Sequence, residues 1–289
     1  MTILPPPGAE ETPPFDDGWM IEGDQRFPFL SYTTDPSANW SDELEGFHEE
    51  SSRTHFIDVW TRTAILERIG DAPERGTIAD LGCSTGYLLE DLRASHAGAT
   101  LIGIDLVASG LRKAHVLVPG ARLLQADVCD LPLSDSSADV IVSANLLEHV
   151  PDDGRALAEV ARVLRPGSRA VFVVPGGPGT YDYYDRFLGH ERRYGRGELA
   201  GKARGVGLDV IEDRYIASLL YPVFWLVKKR NRLRYGRLEG AALEQRVARD
   251  IAGTRDSRIG HALRRLEETL RVRLPFGIRN LVVLHKRER

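Results

Sequence analysis

Ile78-Ala79-Asp80-Leu81-Gly82-Cys83-Ser84-Thr85-Gly86-Tyr87 is the stretch that decides the fold. An apolar run ends on an acid, enters a turn containing Gly82 and Gly86, and passes into a segment with the apolar spacing of an amphipathic helix. Strand, tight loop and helix in that order set the unpaired N–H groups of a helix start beside the loop, which suits a nucleotide-type ligand. Side chains at Gly82 and Gly86 would hold the backbone amides away from such a ligand and disfavour positive φ. A dinucleotide loop of the form G-x-G-x-x-G would need glycine where Ser84 and Tyr87 stand, so the pyrophosphate-binding version of the turn is not supported.

Further along, Thr100-Leu101-Ile102-Gly103-Ile104-Asp105 reads as a second buried strand, and Asp105 lies nineteen positions after Gly86. A carboxylate there can accept hydrogen bonds from both hydroxyls of a ribose. A third run, 121–127, ends on Asp127, an acceptor suited to the exocyclic amino group of adenine. Asp is common at strand ends because it starts turns and caps helices. Three acids closing successive strands on the carboxyl edge of a parallel sheet point instead to a ligand. A fourth strand spans 138–145, and Leu157, Val160, Ala161 and Leu164 then recur at helical spacing. Arg165-Pro166-Gly167 stops that helix, since Pro166 lacks a donor and Gly167 tolerates a left-handed turn. A fifth strand follows at 168–175, a sixth at 208–216 and a final one at 278–286.

Asp80 with the Gly82-to-Gly86 loop, the Asp127-Val128-Cys129-Asp130-Leu131-Pro132 turn, Leu146-Leu147-Glu148-His149-Val150, Arg165-Pro166-Gly167 and Val171-Phe172-Val173-Val174-Pro175 together resemble the class I S-adenosylmethionine-dependent methyltransferases. Ser84 stands where their first motif has its middle glycine. The resemblance covers roughly residues 50 to 217 and the last strand. It implies a doubly wound, Rossmann-like α/β fold with a seven-stranded sheet, mostly parallel with an antiparallel last strand. It also implies S-adenosyl-L-methionine as methyl donor, S-adenosyl-L-homocysteine as product, and cofactor contacts from Asp80, Gly82, Cys83, Ser84, Gly86, Asp105, Leu106, Asp127, Val128 and Asn145.

The segment 181–194 follows the fifth strand, where loop residues reach an acceptor. Its Gly189-His190-Glu191-Arg192-Arg193-Tyr194 is similar to the GHxRRY element of bacterial methyltransferases acting on natural products and on saccharide or lipid-linked envelope precursors. His190 and His149 are accordingly the candidate bases for a hydroxyl acceptor, and Tyr181, Tyr184, Arg193 and Tyr194 the candidate substrate contacts. The competing role for Arg193, Tyr194 and Glu198 is to brace the loop, and for His149 to mark a helix entry. Glu148, His149, Asp182, Asp185 and His190 offer ligands for Mg²⁺, although their spacing defines no site.

A chain of 289 residues with 42% apolar content can bury one α/β core with additions. Cys83 and Cys129 are its two cysteines and form neither a disulfide framework nor a zinc pattern, which favours a reducing, cytoplasmic setting. The proline- and acid-rich residues 1–45 lack the pattern of a secretory signal and read as a flexible or surface-draped segment. The core is expected at 46–217 and 276–289, with a helical insertion at 218–275. An amphipathic helix over 51–69 carries Phe56, Val59, Trp60, Ile65, Leu66 and Ile69. In the resembled family such a helix caps the cofactor pocket, where Phe56, Trp60 or Trp40 would close it unless they pack in the core. His48 and His55 either face substrate or are structural.

Charge is uneven, with 21 Lys and Arg against 10 Asp and Glu in residues 202–289, and 17 against 32 in the remainder. The insertion begins with an apolar run, 217–227, followed by the basic stretch Lys228, Lys229, Arg230, Arg232 and Arg234. The run is too short to span a bilayer. It suits a peripheral contact with anionic lipid, a substrate lid, a homodimer contact, or a helix with a solvated basic face. Nucleic acid is not expected, because the chain is net acidic at −4 and acids interrupt the basic residues of 239–268. The leading reading is O-methylation of a small-molecule, natural-product or saccharide/lipid-linked acceptor. The alternatives are other chemistry, such as cyclisation, on the same cofactor-binding scaffold, and a peripheral membrane or interaction protein that kept the fold.

Overall fold

The computed structural model describes residues 3–16, 18–33, 53–70, 75–253, 258–270 and 273–288, so Trp40 and His48 lie outside the described residues. Strand β5 (Thr77–Leu81) is buried throughout and occupies the middle of the main sheet. A strand covered on both faces must be apolar without alternation, which is how residues 77–81 read apart from Thr77 and Asp80. Helix α2 (Tyr87–Ser95) leads from β5 to the parallel β6 (Thr100–Asp105), and α3 (Ala108–Leu117) leads to β7 (Arg122–Gln125). The chain then crosses to the other side of β5, where β8 (Ala138–Ala144), α4 (Asp153–Val163) and β9 (Leu164–Pro175) follow. That reversal makes the β5/β8 crevice a topological switch point, the place where open α/β sheets bind ligands.

Beyond β9 come α5 (Tyr183–Phe187), α6 (Glu198–Gly205), β10 (Leu208–Ile216) and β11 (Arg279–Lys286). Strand β11 inserts between β9 and β10 and runs antiparallel to both. Short strands β1 (Phe15–Asp16), β2 (Trp19–Glu22) and β3 (Gln25–Phe27) form a separate antiparallel sheet, and β4 (Leu30–Ser31) joins the main sheet beside β7. The main sheet therefore has eight strands, β10-β11-β9-β8-β5-β6-β7-β4, rather than the expected seven. The added strand is two residues long, too short for any periodicity to announce it.

Alternation along β9 sends Val171 and Val173 to one face and Ala170, Phe172 and Val174 to the other. The first face packs on Trp60 and Ile65 of α1 (Phe56–Leu66), on Leu89 and Leu92, and on Leu111. The second packs on Leu157 and Val160 of α4 and Leu199 and Ala203 of α6. Each such fully buried aliphatic side chain contributes about 1.5–3 kcal/mol. Strand β9 starts at Leu164 rather than Ser168, because Arg165-Pro166-Gly167 is absorbed in a bulge where the pairing jumps from Ala138–Leu164 to Val140–Arg169. Gly167, at φ +79°, makes that bulge, which also tolerates Pro166.

Between β10 and β11 lie α7 (Tyr221–Tyr235), α8 (Gly240–Gly253) and α9 (Arg258–Thr269). Helix α7 is tied to the α5 region by Lys228 Nζ donating to Asp182 at 2.7 Å, and α8 by Tyr183 donating to Asp250. Helix α9 lies so close to α1 that a Cβ on Gly260 would meet the Phe56 ring at 2.7 Å. No helix among the described residues is long and apolar enough to cross a membrane.

Candidate active site

The carboxyl edge around the β5/β8 switch point opens into a cavity of about 870 Å³, roofed by α7 and α8. Gly82 and Ser84 line it directly, with φ of +74° and +45°. A non-glycine residue in the left-handed region costs about 1–2 kcal/mol, which Ser84 offsets by donating its N–H to Asp105 Oδ2 at 2.8 Å. The glycines are also required by packing. A Cβ on Gly82 would stand 3.0 Å from Leu146 Cβ, and one on Gly86, at φ +88°, 3.0 Å from Ala114 Cβ in α3. Cys83 is buried in the core, and neither it nor Gly86 contributes to the cavity lining.

Asp105, Leu106, Asp127, Val128 and Asn145 all line the cavity, gathered from the ends of β6, β7 and β8. Asp105 Oδ1 also accepts from Val107 N–H at 2.9 Å, so this carboxylate orders the loop after β5 and the start of α3 together. Asp127 caps its own turn, accepting from Cys129 N–H at 2.8 Å. Asn145 adopts φ +55° and lines the cavity together with Gly82 and Leu146. Asp80 is different. It lies 1% exposed beneath the loop, outside the lining, and burial reinforced by the charge of Asp105 pushes its carboxyl up to about 8.

The opposite wall is assembled from two loops stitched by backbone bonds. Glu191 N–H donates to Glu148 O at 2.7 Å, and Arg192 donates to Val150 O and Pro151 O at 3.0 and 2.9 Å. His149 and His190 are thereby brought edge to face, with ring centroids 4.7 Å apart, and both line the cavity. His190 Nδ1 lies 2.9 Å from Asp185 Oδ1. Burial holds the imidazole below its ordinary pKa against the pull of Asp185. An ionised carboxylate only accepts, so Nδ1 carries the proton and Nε2 keeps its lone pair. Asp185 is fully buried, which by itself would raise its pKa, yet the His190 hydrogen bond and the charges of Arg193 and Lys228 hold it well below the usual carboxylate range. Arg193 Nε donates to it at 2.7 Å, and Lys228 Nζ lies at 3.4 Å.

The tyrosines of the 181–194 segment divide. Tyr184 and Arg193 line the cavity. Tyr181 donates its hydroxyl to His190 O at 2.7 Å, and the fully buried Tyr194 donates to Asp153 Oδ2 at 2.7 Å; neither lines the cavity. Glu198 accepts from Gly195 N–H at 2.9 Å. Trp60 packs in the core, whereas His55 and Phe56 line the cavity. Sequence reasoning missed four lining residues: Asp58 from α1, Arg279 from the start of β11, and Phe224 and Arg246 from α7 and α8, since no local pattern shows which of these side chains the tertiary fold brings to the cavity. Glu148 was named only among ligands for Mg²⁺. It lines the cavity, is 0% exposed, and burial pushes its carboxyl up to about 7.

Residues 79–172 match the family model described as a methyltransferase domain. Those residues carry a methyltransferase domain, of the class I, S-adenosylmethionine-dependent kind. Over 116 residues the chain is 35% identical to a demethylmenaquinone methyltransferase of Thermus thermophilus, an alignment covering 39% of this chain and 52% of that protein. A 37.1 kDa protein in a transposon of Streptomyces fradiae is 35% identical over 130 residues, covering 43% of this chain and 37% of its own. The chain thus spans about half or less of the length of these relatives. Among solved structures, phosphoethanolamine N-methyltransferase 2 of Haemonchus contortus in complex with S-adenosyl-L-methionine shares the fold of the domain. Its TM-score is 0.61 at 16% identity, covering 86% of this chain and 58% of that one.

Proposed function

We propose that the protein is a methyltransferase that uses S-adenosylmethionine to methylate a hydroxyl of a small-molecule, natural-product or saccharide/lipid-linked acceptor. The observation that carries this reading is that one cavity joins the polar ends of β6, β7 and β8 to the His149–His190 wall. The residues fit the cofactor. Asp105 faces the cavity as an acceptor for ribose hydroxyls, Asp127 and Val128 border the place of an adenine, and Gly82 and Ser84 bring backbone to the ligand without intervening bulk. Once bound, S-adenosylmethionine would supply an electrophilic methyl group.

The chain's own part is positioning and proton handling. Phe56, Tyr184 and Phe224 offer apolar and aromatic surface to hold an acceptor, and Arg193 stays fixed by Asp185 at the wall. A hydroxyl acceptor needs a proton acceptor, and His190 is neutral with Nε2 available because Asp185 takes its Nδ1–H. Isothermal titration with S-adenosylmethionine and S-adenosylhomocysteine, followed by mass spectrometry of acceptor mixtures for a one-methyl increment with release of S-adenosylhomocysteine, tests the reading. Cofactor binding with a product isomeric to its substrate would favour cyclisation instead, and absence of cofactor binding would favour an interaction protein.

Helix α7 favours delivery of the acceptor from a membrane surface. Val223, Leu226 and Leu233 are 67%, 62% and 82% exposed, Trp225 lies beneath Lys229, and Arg230 and Val227 stand at the cavity mouth. Exposed apolar side chains next to basic ones suit the headgroup region of an anionic leaflet.

A further inference from the structure

We propose that Glu148, His149 and His190 form a binding site for a divalent transition-metal ion in the wall of the cavity. The proposal rests on the methyltransferase reading only for the purpose of the ion, which is to hold an oxygen of the acceptor. One ligand atom from each of the three side chains lies within 4.8 Å of the others. Glu148 supplies the independent observation. It is 0% exposed and lines the cavity, yet neither carboxylate oxygen has a hydrogen-bond partner among the described residues. A buried carboxylate is unfavourable unless cations or donors satisfy it; the charges of Arg279 and Arg193 offset part of that cost, and a bound metal ion would offset the rest.

The surroundings prepare the histidine. Asp185 accepts from His190 Nδ1 at 2.9 Å, leaving Nε2 as the ligand atom, and Arg193 and Lys228 in turn hold Asp185. A carboxylate on the far nitrogen of a ligating imidazole fixes its tautomer and orientation and raises its basicity. The Glu191-to-Glu148 backbone bond holds the two ligand-bearing loops in register. Metal–ligand bonds of about 2.0–2.2 Å bring donors to roughly 3–3.5 Å from one another, a closure from the present spacing within reach of side-chain rotation.

Two imidazoles and one carboxylate select against Mg²⁺, which prefers oxygen ligands and retained water, and favour Zn²⁺, Fe²⁺ or Co²⁺. Three protein ligands leave coordination positions open. Since all three residues line the cavity, an acceptor hydroxyl is the ligand that completes the set. His190 would then act as a metal ligand rather than as a free base.

The test uses the full chain, stripped with chelator and titrated with Co²⁺, Zn²⁺ and Mg²⁺ by calorimetry and, for Co²⁺, visible absorption. One equivalent of Co²⁺ or Zn²⁺ with a ligand-field band is expected, with Mg²⁺ far weaker. Glu148→Gln, nearly isosteric, should weaken Co²⁺ binding at least tenfold with unchanged circular dichroism, and His149→Ala should do the same. Asp185→Asn, acting through His190, should lower affinity about 10–100-fold. Absence of stoichiometric binding to the wild type, or unaltered binding by folded Glu148→Gln, overturns the site. Calorimetry with S-adenosylhomocysteine is run in parallel. Cofactor binding without metal binding removes the metal site and leaves the methyltransferase reading, while metal binding without cofactor binding removes that reading and leaves the site.

Discussion

Replacing Asp80 by asparagine is expected to flatten the dependence of stability on pH. The side chain is 1% exposed and its Oδ2 has no hydrogen-bond partner among the described residues. Burial first, and the neighbouring Asp105 charge second, push its carboxyl up to about 8. The unfolded value is about 3.9, so between the two the native state retains a proton that the unfolded chain has released. Stability then falls as pH rises; the contribution is fully present below the unfolded pKa and lost as pH climbs through the folded one. At about 1.4 kcal/mol per pH unit, the loss between pH 4 and pH 7 is on the order of 4 kcal/mol. Asparagine keeps the shape and does not ionise. Urea unfolding followed by tryptophan fluorescence from about pH 4 to pH 8 should therefore show the Asp80→Asn protein gaining on the wild type by about 4–5 kcal/mol as pH rises. Parallel profiles would refute the reasoning, since they would mean that Asp80 ionises in the folded protein as it does in the unfolded chain.

Asp105→Ala should lose the ribose acceptor, worth about 1.5–3 kcal/mol, and also the anchor of Ser84 N–H, so calorimetric affinity for S-adenosylhomocysteine should fall by more than tenfold; unchanged affinity in a folded variant removes the assignment. His190→Ala should cut turnover about 10²-fold with cofactor affinity nearly unchanged. In chelator-stripped protein, where His190 is free to act as the base, burial lowers its pKa, so turnover should hold its plateau to pH values below the ordinary histidine range, and a rate that already declines near neutrality counts against the assignment. Gly86→Ala should destabilise the protein by about 1–2 kcal/mol, because the residue is at φ +88° and its Cβ would press on Ala114; an unshifted melting temperature contradicts this. Changing Lys229, Arg230 and Arg232 together to Gln should reduce co-sedimentation with anionic vesicles by roughly 1 kcal/mol per residue, whereas Lys228 is excluded because Asp182 holds it; wild-type protein that stays in the supernatant at low salt ends the membrane reading.

The chain's local pattern determined most of the sheet and the acid-ended strands. Buried parallel strands are continuous apolar runs and the helices between them repeat every three or four residues, so β5, β6 and β8 were readable from neighbours in sequence. Asp105 and Asp127 were readable because each sits at or just past a strand end, and strand ends in a parallel sheet share an edge. Which way a side chain turns within a loop was not readable, since that depends on partners distant in the chain. Tyr194 is occupied by Asp153, Tyr181 by the backbone of its own loop, and Cys83 by the core, while Tyr184 and Arg193 of the same segment face the cavity. Tertiary structure alone decided that Lys228, in a run that reads as solvated charge, is buried against Asp182, and that the Glu148 carboxylate stands beside two histidines with no hydrogen-bond partner among the described residues. Those outcomes arise from contacts between segments separated by roughly 40 residues or more, and no hydrophobic period or turn propensity encodes such a meeting in the stretch that supplies either partner.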